Sequence, residues 1–385
     1  MVPEIPESYF EEETREGFTI SGKVKRSWAA QLKIVSLFAE VCDRHGLRWF
    51  AEYGTLLGTV RHRGYIPWDD DLDICMPRED YERVWPFLAQ ELPAYFHICS
   101  RQADPHINSP WGSIRNRREI DLGGRDPREA EITKEFYGWP YVAGVDVFPL
   151  DHIPADESER DIQQVWYRSI HDILRNHAAY EEQGAIGEAA ATLGEAMGVD
   201  LPDTPDGFKA ALWELDRAVA GMYPREESIG VTSLYWRVYG HVRIRPHACY
   251  DDTIWLPFEM IELPVPVGYE EILTLEFGDW NAPRKGTQGH GYPYFAAQEK
   301  RAEIILEADR LEAQGEYAAE RAFLEQALER LSDSWEVYLM LARASQREDL
   351  PYAVQCLQKA LSLCPDEAVR QNIRSNLMSL TQGNS

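Results

Sequence analysis

The 385-residue sequence predicts an α/β (α+β) domain followed by α-helical repeat hairpins. Two observations carry this reading. Between residues 47 and 150, short apolar stretches alternate with segments of helical period, the pattern of a sheet flanked by helices. After "YFAAQEK" the composition turns to Ala, Leu, Glu and Gln in helical rhythm through residue 380.

Residues 1–20 are acidic and contain proline, and read as a loose arm. "KVKRSWAAQLKIVSLFAEVCDRHG" carries apolar residues at helical spacing and stops at Gly46. "LRWFAEYG" reads as a strand, "TLLGTVRHRG" as a short helix or turn, "DLDICM" as a strand and "REDYERVWPFLAQEL" as a helix. "FHIC", "EIDLG" and "YVAGVDVFPL" are further strand candidates. Residues 156–223 are helical apart from "GVDLPDTPDG", and 228–300 are irregular and rich in Pro, Gly and aromatics. The expected domains are therefore 21–301 and 302–385. In the second, "GEYAAERAFLEQALERLSDS" and "DLPYAVQCLQKALSLCPD" repeat with a period of 33 between Ala327 and Ala360. Ala353, Leu357, Ala360 and Pro365 stand at the helix-B spacing of a tetratricopeptide unit of about 34 residues. An ordinary helical hairpin is the plainer alternative.

A net charge of −26 disfavours wrapping nucleic acid, which needs clustered Lys and Arg. No apolar run approaches the roughly 20 residues that span a bilayer, and the N-terminus does not read as a signal peptide. Six scattered cysteines without CxxC spacing argue against structural zinc and fit reduced thiols in a cytoplasm. The ten histidines show neither HxxxH nor HExxH spacing, which disfavours a zinc hydrolase.

Chemistry concentrates in "GYIPWDDDLDIC". Read as a strand, it sends Asp71 and Asp73 to one face while Leu72 and Ile74 enter the core. Two such carboxylates can share a hard cation, Mg²⁺ or Mn²⁺. Asp69 has the same parity, nearer the turn after Pro67; Asp70 has the opposite parity and is expected to cap or face water. Upstream, Gly54, Thr55 and Gly58 let backbone N–H groups approach a phosphate at a helix start, beside Arg61, His62 and Arg63. A Gly-Thr turn ahead of paired aspartates matches the nucleotidyltransferase arrangement, a mixed sheet flanked by helices. Arg115 in "SIRNRRE" is expected to supply positive charge at the site, or else to form a surface ion pair.

"YGTLLGTVRHRGYIPWDDDLDICMPREDYERV" closely resembles the signature of the LicD family, bacterial phosphocholine transferases related to fukutin and fukutin-related protein. "GSIRNRREIDL", "GVDVFPLD" and "LPFEMIELPVPVGYEEILTLEFGDW" resemble further blocks of it, so the likeness runs from about 25 to 300. "NAPRKGTQGHGYPYF" and "RIRPHACYDDTIW" depart from the family pattern. The resemblance implies a CDP-alcohol donor, CDP-choline or a relative, with transfer of its phospho-alcohol to a glycan or lipid-linked glycan hydroxyl and release of CMP.

It also implies a third carboxylate on a neighbouring strand, and Asp146, flanked by Val145 and Val147, is the matching position. Asp69, Asp71, Asp73 and Asp146 are the expected metal ligands, and Asp71, Asp73 and Asp146 the catalytic set. Asp151 or Glu259 is the alternative base. Glu259 orients a ligand or is structural, and His290 in "GHGYPY" is a phosphate contact or incidental. The expected setting is cytoplasmic or peripheral at the inner face of the membrane, with a protein partner on the helical repeats. A nucleotidylyltransferase that leaves NMP on its product, or a retired scaffold, are the competing classes.

Overall fold

The structure, a computed structural model, describes residues 4–118, 128–240, 243–284, 292–329, 331–364 and 367–382. The chain divides into two compact units, 1–118 with 133–293, and 119–132 with 294–385.

The first unit opens with a hairpin, β1 (Glu13–Arg15) and β2 (Phe18–Ile20). Its two-residue turn, Glu16 and Gly17, has φ values of 50° and 76°, as a type I′ turn requires. Arg15 at the turn is paired with Glu259, 244 residues away, at 2.5 and 3.1 Å. This non-local ion pair ties down the stretch that composition alone reads as a loose arm. Ser21 then caps α1 (Gly22–His45) by accepting from the Val24 amide, and Gly46 ends it in the left-handed conformation. One stripe of α1, including Trp28, Leu32, Val35 and Phe38, is fully buried.

The central mixed sheet follows. Its elements are β3 (Phe50–Ala51), α2 (Tyr53–His62), β4 (Asp73–Pro77), α3 (Arg78–Glu91), β5 (His97–Cys99), β6 (Gly112–Arg115), α4 (Glu129–Glu135) and β7 (Gly144–Pro154). Strand order is β3-β4-β7-β6-β5. β4 and β7 run parallel, and the other pairs are antiparallel. β7 is long enough that its far end pairs with β8 (Ser228–Thr232). Two expectations change. β4 begins at Asp73, so Asp69–Leu72 precede the strand. Asp70 is fully buried rather than facing water, with Gln31 donating to its carbonyl at 2.8 Å. The strand expected at "EIDLG" lies outside the described residues.

Between β7 and β8, helices α5 (Glu157–Arg175), α6 (His177–Glu182), α7 (Ile186–Met197) and α8 (Pro205–Ala220) close a second core. Asp156 caps α5 by accepting from the Ser158 and Glu159 amides. α9 (Leu234–Val238) joins this core, and a hairpin of β9 (Thr253–Phe258) and β10 (Ile261–Pro266) leads to α10 (Tyr269–Phe277). All six cysteines are buried free thiols. Among the described residues no helix is long and apolar enough to cross a membrane.

The second unit contains the helical hairpins α11 (Ala296–Ala313), α12 (Tyr317–Ala327), α13 (Trp335–Ser345), α14 (Leu350–Leu363) and α15 (Glu367–Gln382). Each packs on the next in chain order. Ala327, Ala353, Leu357 and Ala360, the residues that set the repeat, lie in this core; Pro365 is outside the described residues.

Glu320 is also buried there, and burial, with Glu312 adding, pushes its carboxyl up from 4.5 to about 7. The folded unit then keeps a proton that the unfolded chain releases near pH 4.5, so stability falls as pH rises from about 4.5 to 7. Circular-dichroism melts should show Glu320→Gln raising the melting point of this unit at pH 8 and leaving it nearly unchanged at pH 4. Equal shifts at both pH values would contradict the assignment.

Candidate active site

Register places the site residues in one row across the sheet. Cys99 faces Ser113, Ser113 faces Asp146, and Asp146 faces Asp73. The Glu52 amide donates to the Asp73 carbonyl at 3.0 Å and extends the row by one residue. Directly opposed residues share a face, so three carboxylates meet on three adjacent strand positions. Val145 and Val147 are fully buried on the other face and Asp146 is half-buried, as their alternation requires.

The cost is visible at Asp73. Burial raises its carboxyl well above the usual carboxylate range, and Asp71, Asp146, Asp69 and Glu52 all push the same way. These five influences, its largest, include no favourable one. The aspartates singled out in the sequence therefore act on one point, although Asp71 and Asp69 reach it from the segment ahead of β4. That donor set fits a divalent cation in charge and hardness. Among the described residues no three His, Cys, Asp or Glu side chains stand as a ready-made cage.

The first turn of α2 is fixed against this row. Thr55 Oγ1 accepts from the Asp73 amide at 2.9 Å, so its buried hydroxyl locks helix to strand. A Cβ on Gly54 would lie 2.5 Å from Asp69 Oδ2. The Asp69 carboxylate thus sits over the helix start, where free N–H groups favour an anion. Gly58 is buried, and a Cβ there would meet the Gly64 carbonyl at 2.5 Å. The missing side chain lets α2 pack closely on the Gly64 turn. Arg61 donates to the Trp280 carbonyl at 2.8 Å and lines a cavity of 330 Å³ with Gly54, Trp68, Asp69, Trp280 and Arg284. Arg115 is exposed at the end of β6, on the Ser113 face, opposite Gly144 and next to Asp146 along the sheet.

The alternative bases are held elsewhere. Asp151 is buried in an ion pair with Arg78 at 2.5 Å and accepts from the Leu234 amide at 3.2 Å. Burial pushes it up to about 6, against the pull of Arg78. Its position five residues along β7 puts it on the opposite face from Asp146. Glu259 has a positive φ of 51° in the β9–β10 turn and binds Arg15 and the Tyr65 amide. His290 lies outside the described residues.

Two residues that the sequence reading passed over complete the frame. Glu52, just before α2, is buried with Arg245 in a two-pronged pair at 2.6 and 2.9 Å. Arg245 also donates to Glu276 at 3.0 Å and to the Tyr250 hydroxyl at 2.9 Å. The signals were a carboxylate at a helix start and an arginine inside the atypical "RIRPHACY", but 193 residues separate the partners.

The mixed sheet thus carries a carboxylate row beside a Gly-Thr helix start. Residues 46–106 match the LicD/FKTN/FKRP nucleotidyltransferase domain. It is similar to the lipopolysaccharide cholinephosphotransferase LicD of Haemophilus influenzae, 37% identical over 67 residues, which are 17% of this chain and 25% of that one. It is also similar to an uncharacterized protein of Rickettsia typhi, 40% identical over 77 residues, covering 18% of this chain and 25% of the relative. An uncharacterized protein of Rickettsia prowazekii is 40% identical over 74 residues, 18% of this chain and 28% of its own. The chain spans about a quarter of the length of these curated relatives.

The two glycines should separate in a denaturant titration. Gly58→Ala meets a backbone carbonyl that cannot swing aside and should cost about 1–3 kcal/mol. Gly54→Ala meets only the end of the Asp69 side chain and should stay within about 1 kcal/mol of wild type. The reverse order would show that Gly58 is not a packing residue.

Proposed function

We propose that this chain transfers a phospho-alcohol from a CDP-activated donor to a hydroxyl of a cell-surface glycan precursor and releases CMP. The observation that carries the reading is Asp73, half-buried on a strand beside Asp146 and pressed by three more carboxylates within the segment that matches the LicD model. Such a cluster is costly in a protein that only binds or scaffolds, whereas phosphoryl transfer uses it.

Asp71, Asp73 and Asp146, with Asp69 beside them, would hold Mg²⁺ or Mn²⁺, which offsets their charge and draws electrons from the donor diphosphate. The chain's own groups supply the rest. Asp146 accepts the proton of the acceptor hydroxyl, whose oxygen then attacks the alcohol-bearing phosphorus. A new P–O bond forms, the bond to the bridging oxygen breaks, and CMP departs with that electron pair. Arg61 and Arg115 face the charge that gathers on the leaving phosphate. The cavity beside Arg61 takes the nucleotide, with Trp68 and Trp280 offering ring faces to the base. Gly54 and Thr55 shape the helix start under the diphosphate, and the tetratricopeptide-like hairpins recruit a partner or a carrier-linked acceptor. Buried reduced thiols fit a reaction in the cytoplasm, at the inner face of the membrane.

The test is incubation with CDP-choline, CDP-ethanolamine, CDP-glycerol or CDP-ribitol, Mg²⁺ and candidate glycans, scoring CMP and product mass. A product heavier by the phospho-alcohol supports the reading, and one heavier by the nucleotide replaces it with nucleotidyl transfer. Asp71→Asn and Asp73→Asn should abolish CMP release without loss of fold. Asp146→Ala should keep donor binding within a few-fold in calorimetry while CMP release falls at least about 10²-fold, the low end of a general-base contribution. Turnover within about tenfold of wild type, under 1.4 kcal/mol of barrier, would remove the substituted residue from the mechanism.

A further inference from the structure

Five arginines line one seam in the helical part of the first unit. α5 carries Arg160, Arg168 and Arg175, eight and seven residues apart and so on one side of the helix. That side meets α9. Arg168 donates to the Val238 carbonyl, Arg175 reaches the Tyr235 hydroxyl at 3.4 Å, and its guanidinium stands 4.6 Å over the Tyr239 ring. α9 adds Arg237. The chain returning along β8, bridged at Val231 and Arg245, adds Arg243.

This chain has 65 acidic against 39 basic side chains, and Arg15, Arg78 and Arg245 in the first unit are each matched by a carboxylate. The seam is different. Among the described residues none of the five forms an ion pair with a carboxylate; Arg160 and Arg168 hold backbone carbonyls and Arg175 a phenol. Asp172, on α5 between Arg168 and Arg175, accepts from the Tyr239 hydroxyl at 3.0 Å. Arg237 is half-buried, and burial, Arg160 and Arg243 together hold its guanidinium below its ordinary range. Like charges gathered in a partly desolvated place mark a site for an anion.

An aromatic layer joins the seam to the catalytic face. Tyr235 and Trp236 pack on Trp111 at 5.4 and 5.3 Å, and Trp111 packs on Phe148 at 5.4 Å. Phe148 is two residues from Asp146 on β7 and shares its face.

We infer that the seam binds the acceptor as an anionic glycan, with its charged groups on Arg160, Arg237 and Arg243 and its sugar rings against Trp111 and Trp236. This rests on the proposed transfer and adds the acceptor's chemical class to it. A bidentate guanidinium suits phosphate or carboxylate groups, and flat aromatic faces suit sugar rings. An anionic membrane is the poorer occupant. The exposed apolar pair on α5, Ile162 and Val165, has Glu159 and Asp161 beside it, which such a surface would repel.

Binding is measured by calorimetric titration of the full chain with a dextran sulfate oligosaccharide, with neutral dextran of equal length, and with phosphatidylglycerol vesicles. The net charge of −26 opposes any polyanion, so attraction must be local. Dextran sulfate should bind, more weakly as salt rises, and neutral dextran should not. The pair Arg237→Gln and Arg243→Gln should weaken binding by about tenfold or more, and the matching Lys pair should recover part of it. Arg243 is exposed and its side chain makes no hydrogen bond among the described residues, so Arg243→Gln alone leaves the fold intact and should still weaken binding measurably. Arg44→Gln, whose guanidinium is engaged by Glu91, should change nothing. Unchanged affinity in the Gln variants, an equal loss in Arg44→Gln, or binding to vesicles without binding to dextran sulfate would overturn the inference. No turnover is needed, so a failure here leaves CMP release standing, and absence of CMP release leaves the binding result readable.

Discussion

One carboxyl group, that of Asp73, sits where burial and four neighbouring acids all oppose its charge. The fold is arranged so that this cannot relax. The carboxylate row is set by the register of β4 on β7, and a one-residue slip would send Asp73 and Asp146 to opposite faces and turn the buried Ile74, or Val145 and Val147, toward solvent. The hydrophobic core behind the sheet therefore enforces the repulsion in front of it. On the proposed reading a bound cation would offset that repulsion, so the same residues would be both a structural burden and a working site.

The frame around the row depends on ion pairs formed far along the chain. Arg245 holds Glu52 immediately before α2, and Arg15 holds Glu259 behind the Gly64 turn. Glu52 is thereby an engaged carboxylate, still close enough to weigh on Asp73. A fully buried pair such as Arg245–Glu52 adds little net stability, but losing one partner costs about 3–5 kcal/mol because a charge is left behind. Their contribution here is position: they fix the first turn of α2, and through Thr55 the amide of Asp73.

Short-range signals in the sequence were legible. The amphipathic stripe of α1, the strand at "DICMP", the long central strand through Asp146 and the helical tail each follow from periodicity within a dozen residues. The aspartates were visible because like charge beside a buried strand demands an explanation. What could not be read were relations between distant segments. The acidic N-terminal stretch reads as loose until Arg15 meets Glu259, and nothing local to Gly58 reveals that the Gly64 carbonyl packs against it. Asp70 reads as exposed by strand parity, but the segment before Asp73 is not strand, so parity does not apply there. The arginine seam was equally hidden, because α5 and α9 meet only in the folded chain.

The central claim is that the acids around Asp73 are strained until a cation joins them. Thermal unfolding with and without millimolar Mg²⁺ tests it most directly. The wild-type chain should melt at a higher temperature when Mg²⁺ is added. Asp73→Asn should melt higher than wild type without the ion and gain little from it, since the neutral amide both relieves the repulsion and removes a ligand. Equal Mg²⁺ shifts in the two proteins, or an Asn variant that melts below the metal-free wild type, would contradict the account.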